Sequence, residues 1–283
     1  MSRLRQRWRR ARLGVPTVLG FASHGHFAPD RHAGAALRPM HYPAVERAFR
    51  AAEPAFADHL AYLDGLRDDL VAIGSQPPPA PRWTQGWFPT LDAAAAYGMI
   101  RRHRPPLVVE VGSGHSTRFL ARAIADGGVA ARQVAIDPEP RAGIAGLPVE
   151  HVAAPVQQAD PSVFAALGPG SMLFVDSSHI AMPGSDVDVL LNRVLPDLPA
   201  GVLVHIHDIH LPDDHPEAWH WRGYNEQCLV VPLITGGGYR VLFSSHHVAT
   251  RMGDVLAASV VGSLPCEPAA PPGSLWLQKL VAP

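Results

Sequence analysis

The stretch Val109-Glu-Val-Gly-Ser-Gly-His-Ser-Thr-Arg118 determines how the rest of this 283-residue sequence is interpreted. The run that starts at Leu107 and ends at Val111 is almost entirely apolar, which is typical of a strand buried on both faces of a parallel sheet. Gly112 and Gly114 follow it, and a helical pattern begins at His115. Because glycine has no Cβ, such a turn lets the backbone approach a ligand closely. The carboxyl end of a parallel strand is also where open α/β sheets bind ligands.

A second element supports a nucleoside-containing ligand. The next apolar run, 133–137, ends at Asp137, and an acid there can accept hydrogen bonds from both hydroxyls of a ribose. A dinucleotide motif has a third glycine where this sequence has Thr117. A carboxylate at Glu110 would repel a pyrophosphate but attract the amino group of a methionyl moiety. The pattern therefore favours S-adenosylmethionine (SAM) over NAD, while a purely structural turn with a surface Asp137 stays the alternative.

Strands and helices alternate after residue 82 and predict an α/β fold. Further strands are expected at 149–153, 172–176 and 201–208, a helix at 186–195, and a terminal strand pair at 239–244 and 275–280. The strands between helices are apolar on both faces, so we expect a doubly wound, mostly parallel sheet covered by helices on both sides. Residues 228–234 fit a strand or a helix equally well.

The N-terminal part differs in composition. Residues 43–73 have a helical stripe of apolar side chains that we expect Pro54 to break or kink, and the Pro-rich stretch 76–81 is a stiff linker. We therefore divide the chain into residues 1–82, a basic arm with a helical extension, and residues 83–283, the SAM-binding domain. We expect residues 1–40 to form a loop or a loosely docked arm. The first twelve residues contain six arginines and no acid, which leaves a disordered tail, a weak membrane-surface contact and a targeting segment open.

The overall composition limits the partners. Hydrophobic residues make up 47% of the chain, and the net charge of −1 provides no field that attracts nucleic acid, so we expect a small-molecule partner instead. The two cysteines, Cys228 and Cys266, are far apart, which argues against a zinc–thiolate site and is consistent with the reducing cytoplasm. Homo-oligomerisation stays open.

Several histidines and carboxylates follow the fourth and fifth strands. His205 and His207 share one face of the fifth strand, Asp208 ends it, and His179 comes just after the fourth strand. These side chains converge on one sheet edge. The group could bind a transition metal, could deprotonate a hydroxyl, or could consist of structural histidines, and all three readings stay open.

At this point a family resemblance becomes visible. Glu110-Val-Gly-Ser-Gly-His-Ser-Thr117 with Ile136-Asp-Pro138 resembles motifs I and II of class I SAM-dependent methyltransferases. Val175-Asp-Ser-Ser-His179 and 201–209 are similar to later motifs of the bacterial group related to catechol and macrocin O-methyltransferases and to cephalosporin hydroxylase-like proteins. The resemblance covers roughly residues 85–283 and implies a Rossmann-like sheet of seven strands.

The resemblance also implies roles for individual residues. Glu110, Gly112, Ser113 and Gly114 would hold the methionyl part of SAM, Asp137 the ribose and Gln157 or Gln158 the adenine, while Asp176 would face the sulfonium. In metal-dependent members, the equivalents of Asp176 and Asp208 bind a divalent cation. Such members usually have Asp or Asn after the second acid, whereas this chain has Ile209.

We therefore predict a SAM-dependent methyltransferase that methylates an oxygen of a small molecule. Either His179 or His207 would act as the base, or a divalent metal held by Asp176, His207 and Asp208 would activate the acceptor. Two alternatives remain, since a fold does not determine a function. One is a metal-dependent enzyme, hydroxylase-like or hydrolytic, that transfers no methyl group. The other is a protein that binds SAM without turnover.

Overall fold

The computed structural model describes residues 3–22, 31–36, 38–268 and 270–282. The chain forms two compact units, residues 1–40 and residues 41–283. Within the described ranges, no helix combines the length and the apolar character that crossing a bilayer requires.

The first unit contains helix α1, Arg3–Val18, and a short 3-10 turn, Ala33–Ala35. The prediction of a loop is thus wrong for residues 3–18. Pro16 lies in the last turn of the helix. Leucine, arginine and alanine are good helix formers, so local propensity favours the helix over most of its length. Residues 1–2, 23–30 and 37 of the predicted arm lie outside the described residues.

The second unit begins with three helices and continues as an alternation of strands and helices. The helices before the sheet are α2 (Pro43–Asp64), α3 (Arg67–Ala72) and α4 (Thr90–His103), and the first half of the sheet region contains β1 (Leu107–Val111), α5 (His115–Asp126), β2 (Arg132–Ile136), β3 (Glu150–Val152), α6 (Ser162–Ala165) and β4 (Met172–Val175). A continuous helical segment follows, made of α7 (Asp186–Val189), a π-helical turn (Leu190–Val194) and α8 (Leu195–Asp197). The last part contains β5 (Leu203–Ile206), a 3-10 segment (Glu217–Arg222), α9 (Gln227–Thr235), β6 (Tyr239–Ser244), α10 (Ser245–Arg251), α11 (Gly253–Ala258), α12 (Val260–Ser263) and β7 (Leu275–Lys279).

The seven strands form one sheet in the order β3-β2-β1-β4-β5-β7-β6. The pairs from β3 to β5 are parallel, whereas β7 runs antiparallel to both β5 and β6. The predicted doubly wound, mostly parallel seven-stranded sheet is therefore confirmed, and its topology is that of the class I Rossmann-like fold. The parallel order places the carboxyl ends of β1, β2, β4 and β5 along one edge, where such sheets bind ligands.

The structure decides two local questions. Helix α2 continues through Pro54 to Asp64, so the helix is not broken there. Its apolar face, which includes Phe49, Phe56 and Leu60, is fully buried, and this burial outweighs the cost of one proline, about 3 kcal/mol. Residues 228–234 belong to helix α9, so of the two readings the helix is correct.

Helix α4 was not predicted from the sequence, although one of its side chains contacts the candidate site. Residues 90–100 of this helix are all buried, since α4 packs against α2, α5, α10 and α12. It contains one acidic residue, Asp92, which has no exposed surface. A fully buried carboxylate must be paired or hydrogen-bonded to be tolerated, so its partners identify a functional part of the protein.

Candidate active site

A cavity of about 270 Å³ lies at the carboxyl ends of β1, β2 and β4. The predicted cofactor residues Gly112, Asp137 and Asp176 are on its wall, together with Gln157. The full lining is Val111, Gly112, Ile136, Asp137, Pro138, Glu139, Arg141, Pro155, Val156, Gln157, Asp176, Ser177 and Asp186. The sequence motifs thus meet around one space, as the fold requires.

The glycine turn is shaped by a close approach between strands. Gly112 has φ of 82°, and a Cβ built there would lie 1.8 Å from the backbone oxygen of Asp176. No side chain fits at that distance, so glycine is required at this position for steric as well as conformational reasons. Because the turn passes so close to the end of β4, the cavity is bounded by backbone from both strands.

Asp137 is held in place by the same turn. Its Oδ2 accepts hydrogen bonds from the Ser113 amide at 2.6 Å and the Ser113 hydroxyl at 3.1 Å. Its Oδ1 accepts one from the Glu139 amide at 2.8 Å. A carboxylate has about four acceptor positions, so capacity remains for ribose hydroxyls. The arrangement supports the predicted role of Asp137.

Glu110 lies below the cavity rather than on its wall. The side chain is fully buried, its Oε1 accepts a hydrogen bond from the Ser116 hydroxyl at 2.5 Å, and its Oε2 has no partner among the described residues. Burial raises the pKa of Glu110 to about 8. Glu110 is therefore not in a position to contact a methionyl group directly from the cavity wall, and its predicted role stays a prediction. Gly114 precedes α5 as its N-cap residue, and its amide donates a hydrogen bond to the Thr117 hydroxyl at 2.8 Å.

Beyond Asp176, two histidines and two carboxylates converge at the ends of β4 and β5. The Nε2 atom of His179 lies 3.4 Å from both Asp176 Oδ1 and Asp208 Oδ2. The Nδ1 atom of His207 lies 3.4 Å from Asp176 Oδ1 and 3.5 Å from Asp208 Oδ1. We call these four side chains the His–Asp cluster. Asp176 belongs to both the cluster and the cavity wall, so the two sites adjoin.

A buried carboxylate stands behind each histidine of the cluster. Asp92 Oδ2 lies 3.2 Å from His207 Nε2 and also accepts the Gly273 amide at 3.0 Å, while Asp92 Oδ1 accepts the Ser274 amide at 2.9 Å. Glu226 Oε2 lies 2.9 Å from His179 Nδ1. Each histidine is thereby oriented so that its other nitrogen faces the centre of the cluster. This is how a carboxylate positions a catalytic imidazole.

The charges of the cluster reinforce one another. Burial disfavours the imidazolium form of His207, but the carboxylates of Asp176, Asp208 and Asp92 outweigh it and raise its pKa well above the usual value. The pKa of His179 is raised well above its usual value in the same way. Burial would raise the pKa of Asp176, but the two histidines hold it well below its ordinary range.

Backbone strain coincides with the cluster. Outside glycine, the described residues have positive φ only at Arg104, His179 (63°) and Asp208 (57°). Arg104 ends helix α4, where a left-handed residue is a common cap. The other two belong to the His–Asp cluster. Strained residues persist where surrounding structure holds them, and they concentrate at active sites.

The cluster was also a predicted metal site. Within the described part of the chain, no group of three or more His, Cys, Asp or Glu side chains is arranged so as to hold a metal ion. Asp176, His207 and Asp208 are instead joined by imidazole–carboxylate contacts. The arrangement thus does not fit a metal as it stands, and metal use remains a prediction.

The other histidines near the fifth strand have different surroundings. His205 is fully buried, stacks on Phe174 with ring centroids 3.7 Å apart, and hydrogen-bonds Ser274 Oγ at 2.8 Å, so it is a core residue. His215 Nε2 hydrogen-bonds the backbone oxygen of Asp208 at 3.1 Å, which supports the loop after β5.

Aromatic side chains border the cluster. The Tyr224 ring lies 4.5 Å from His179, and the Phe88 ring lies 5.4 Å from His207. The guanidinium of Arg222 stacks over Trp219 at 4.1 Å, and its Nη1 lies 3.9 Å from Asp208 Oδ2. The loop after β5 therefore supplies an aromatic ring and a guanidinium beside the cluster.

Sequence reasoning missed the two buried carboxylates. Asp92 had a signal, since it is a lone acid in the run Leu91-Asp-Ala-Ala-Ala-Ala96, and acids are rarely buried without a partner. Glu226 follows Asn225 in a polar stretch, so nothing in the local sequence indicated that it would be buried. Its pairing with His179 depends on two loops that are distant in sequence.

Comparison with known proteins agrees with the site. Residues 109–209, which run from β1 to just beyond β5, match the family described as "Methyltransferase domain". No curated protein matches the chain in sequence.

Solved structures with a similar arrangement include three methyltransferases. PaMTH1 from Podospora anserina, bound to S-adenosylhomocysteine (SAH), is 17% identical over 90% of this chain and 99% of its own, with a TM-score of 0.42. The plantazolicin methyltransferase BpumL with a monoazolic desmethylPZN analog and SAH is 12% identical over 68% of this chain and 85% of its own, with a TM-score of 0.41. MycE from the mycinamycin pathway, with Mg and SAH, is 17% identical over 65% of this chain and 48% of its own, with a TM-score of 0.35. At these values the likenesses carry no inference about activity.

The glycine turn, the sheet order and the family match define a class I Rossmann-like methyltransferase domain. Residues 109–209 accordingly match a methyltransferase domain, in agreement with the SAM-dependent methyltransferase that the motifs predict. The predicted bacterial subgroup is not tested by these comparisons and stays a prediction.

Proposed function

We propose that this protein transfers the methyl group of SAM to an oxygen of a small-molecule acceptor, with His207 as the general base. The observation that supports this most directly is the pairing of His207 with the fully buried Asp92, which directs His207 Nδ1 to the edge of the cofactor cavity. His179 is the second candidate base, because Glu226 orients it toward the same point.

The residues around the cavity fit SAM. Gly112 leaves room for backbone contact where a Cβ would collide with Asp176, and Asp137 retains acceptor capacity for a ribose. Gln157 and Val156 lie on the far wall, where we place the adenine. SAM supplies an electrophilic methyl group on a cationic sulfur, and we expect the ionised Asp176 to attract that charge from the cavity wall.

The protein's own groups then act on the acceptor. The Nδ1 atom of neutral His207 accepts the proton of the acceptor hydroxyl as the oxygen bonds to the methyl carbon. SAM held in the cavity would supply the methyl carbon and would leave as the neutral thioether SAH, with the carbon–sulfur electron pair on sulfur. Asp92 stabilises the imidazolium that forms and fixes the ring orientation. General-base catalysis of this kind typically accelerates a reaction by about 10²–10⁴-fold. The burial of His207 and Asp92 keeps water away from this proton transfer.

The acceptor side favours a compact molecule with an aromatic or apolar body. Tyr224 borders the His–Asp cluster, Trp219 contacts Tyr224 and Arg222, and Arg222 carries the cation closest to Asp208 in this loop. Rings at these positions can hold a planar acceptor against the cluster.

The first test is calorimetric titration of the full chain with SAM, SAH and NAD, with and without EDTA. We expect micromolar binding of SAM and SAH and no binding of NAD. An absence of binding by both adenosyl ligands to folded protein would exclude the proposal.

The second test is a methylation assay with tritium-labelled SAM and a panel of phenols, sugars and hydroxy acids. We expect the His207→Asn variant to lose at least 100-fold in kcat and the control His103→Asn, at the exposed end of α4, to retain activity. SAM binding with no product from any acceptor would favour the protein without turnover. Activity that EDTA abolishes and that an added divalent cation restores would favour a metal-dependent reaction.

A further inference from the structure

Helix α1 carries a surface that the methyltransferase reaction does not use. Its 16 residues contain six arginines and no acid, whereas the chain as a whole has a net charge of −1. We infer that α1 is an interfacial helix that binds the surface of an anionic lipid bilayer. The inference is independent of the proposed reaction, because it depends only on the described residues of the first unit.

The apolar side chains of α1 form one stripe. Leu4, Trp8, Val15 and Val18 are separated by four, seven and three residues, which places them within an arc of about 80° at 3.6 residues per turn. All four are exposed, by 73%, 69%, 54% and 57% respectively. An exposed apolar stripe that includes a tryptophan is a surface suited to the boundary between lipid headgroups and acyl chains.

The arginines flank this stripe. On the same helical projection, Arg5 and Arg12 lie along one border, and Arg7 lies along the other. An interfacial helix of this kind keeps its cations at the level of the lipid phosphates while its apolar face enters the membrane surface. At about 24 Å, with six charges, the helix is suited to lie on the bilayer plane.

The apolar stripe distinguishes lipid from nucleic acid. A nucleic acid would use the cations but would leave the aliphatic stripe of Leu4, Val15 and Val18 in water. Anionic lipid satisfies both features at once, through headgroup charge and through burial of apolar area. Charge complementarity and the exposed stripe therefore identify the same partner.

The test is co-sedimentation of the full chain with lipid vesicles. We expect the partition coefficient to be at least 10-fold higher on vesicles with 30% phosphatidylglycerol, about a third of the lipid, than on pure phosphatidylcholine, and to fall as salt increases. We expect the double variant Trp8→Glu, Val15→Glu to lose at least 10-fold of this binding. The control Val71→Glu changes an equally exposed valine in α3 and should bind like the parent chain.

Circular dichroism adds a check on folding and on mechanism. All variants should have the same thermal unfolding midpoint, since the altered side chains are exposed. Equal vesicle binding by the parent chain and the Trp8/Val15 variant would overturn the inference. So would an absence of binding to anionic vesicles, or a preference for duplex DNA or RNA over these vesicles in competition.

Discussion

Replacing Asp92 by asparagine tests whether the buried carboxylate behind His207 serves the reaction. The change keeps the side-chain size but removes the charge that faces His207 Nε2 at 3.2 Å. The Gly273 and Ser274 amides also donate to this carboxylate. An asparagine offers one oxygen and one NH₂ group, so it can accept from the amides on one side only.

The expected magnitude follows from this geometry. At 3.2 Å and an effective dielectric constant of about 20, an imidazolium and a carboxylate attract by about 5 kcal/mol. After desolvation is taken into account, a charged hydrogen bond contributes a net of about 1.5–3 kcal/mol. Since about 1.4 kcal/mol is tenfold in rate, we expect kcat to fall by roughly 10- to 100-fold in Asp92→Asn. The pKa of His207 should fall as well, because Asp92 stabilises its imidazolium form.

The assay is a pH–rate profile of the parent chain, Asp92→Asn and the control Asp58→Asn. Asp58 is an exposed carboxylate that pairs with Arg102. We expect Asp92→Asn to have a lower plateau and an inflection displaced to lower pH, and Asp58→Asn to match the parent chain. NMR titration of the His207 ring provides the same pKa shift without requiring activity.

A loss of activity alone would not support the reasoning, since a damaged fold also lowers kcat. An unchanged inflection in Asp92→Asn, in a variant that still binds SAH, would refute the role of Asp92 as the group that positions and stabilises protonated His207. Unchanged kcat would refute it equally.

Further predictions concern the cavity, the titration of the cluster and its second buried carboxylate. Gly112→Ala should abolish measurable SAH binding and lower the unfolding midpoint, because its Cβ would lie 1.8 Å from Asp176 O; retained SAH affinity in calorimetry would contradict the close approach. The activity of the parent chain should rise with pH to values above 6.5, since the raised pKa values of His179 and His207 keep both rings protonated below that. The stabilisation from these ion pairs should be complete below about pH 6.5 and be lost as the pH rises through the raised pKa values, which denaturant titrations at several pH values would detect. Glu226→Gln should lower kcat about 10-fold, and Glu226→Asp should restore only part of the parental activity. If Glu226 has a purely structural role, its replacement would change the unfolding free energy without moving the pH profile.

The sheet and the cofactor cavity were accessible from sequence because their signals are local. A buried parallel strand is apolar throughout, and the turn after β1 demands Gly112 for steric reasons, so the order of residues along the chain already records both. The position of Asp137 at the cavity could also be predicted, because this residue ends the next parallel strand. Two helical features were not predicted from the sequence: the helix at residues 3–18 and the continuation of α2 through Pro54. The first has only weak hydrophobic periodicity, and the second depends on tertiary packing.

The catalytic surroundings required the tertiary structure. From the sequence alone we predict a SAM-binding methyltransferase domain after the extension. The sequence also predicts that His179, His207, Asp176 and Asp208 lie at one sheet edge, because parallel strands end together. Which nitrogen of each histidine faces that edge is visible only in the folded protein. That choice depends on a carboxylate from α4 and one from the loop before α9, which are 115 and 47 positions away from their histidine partners. No local pattern records contacts over such separations, since they exist only when burial forces a polar group to find a partner.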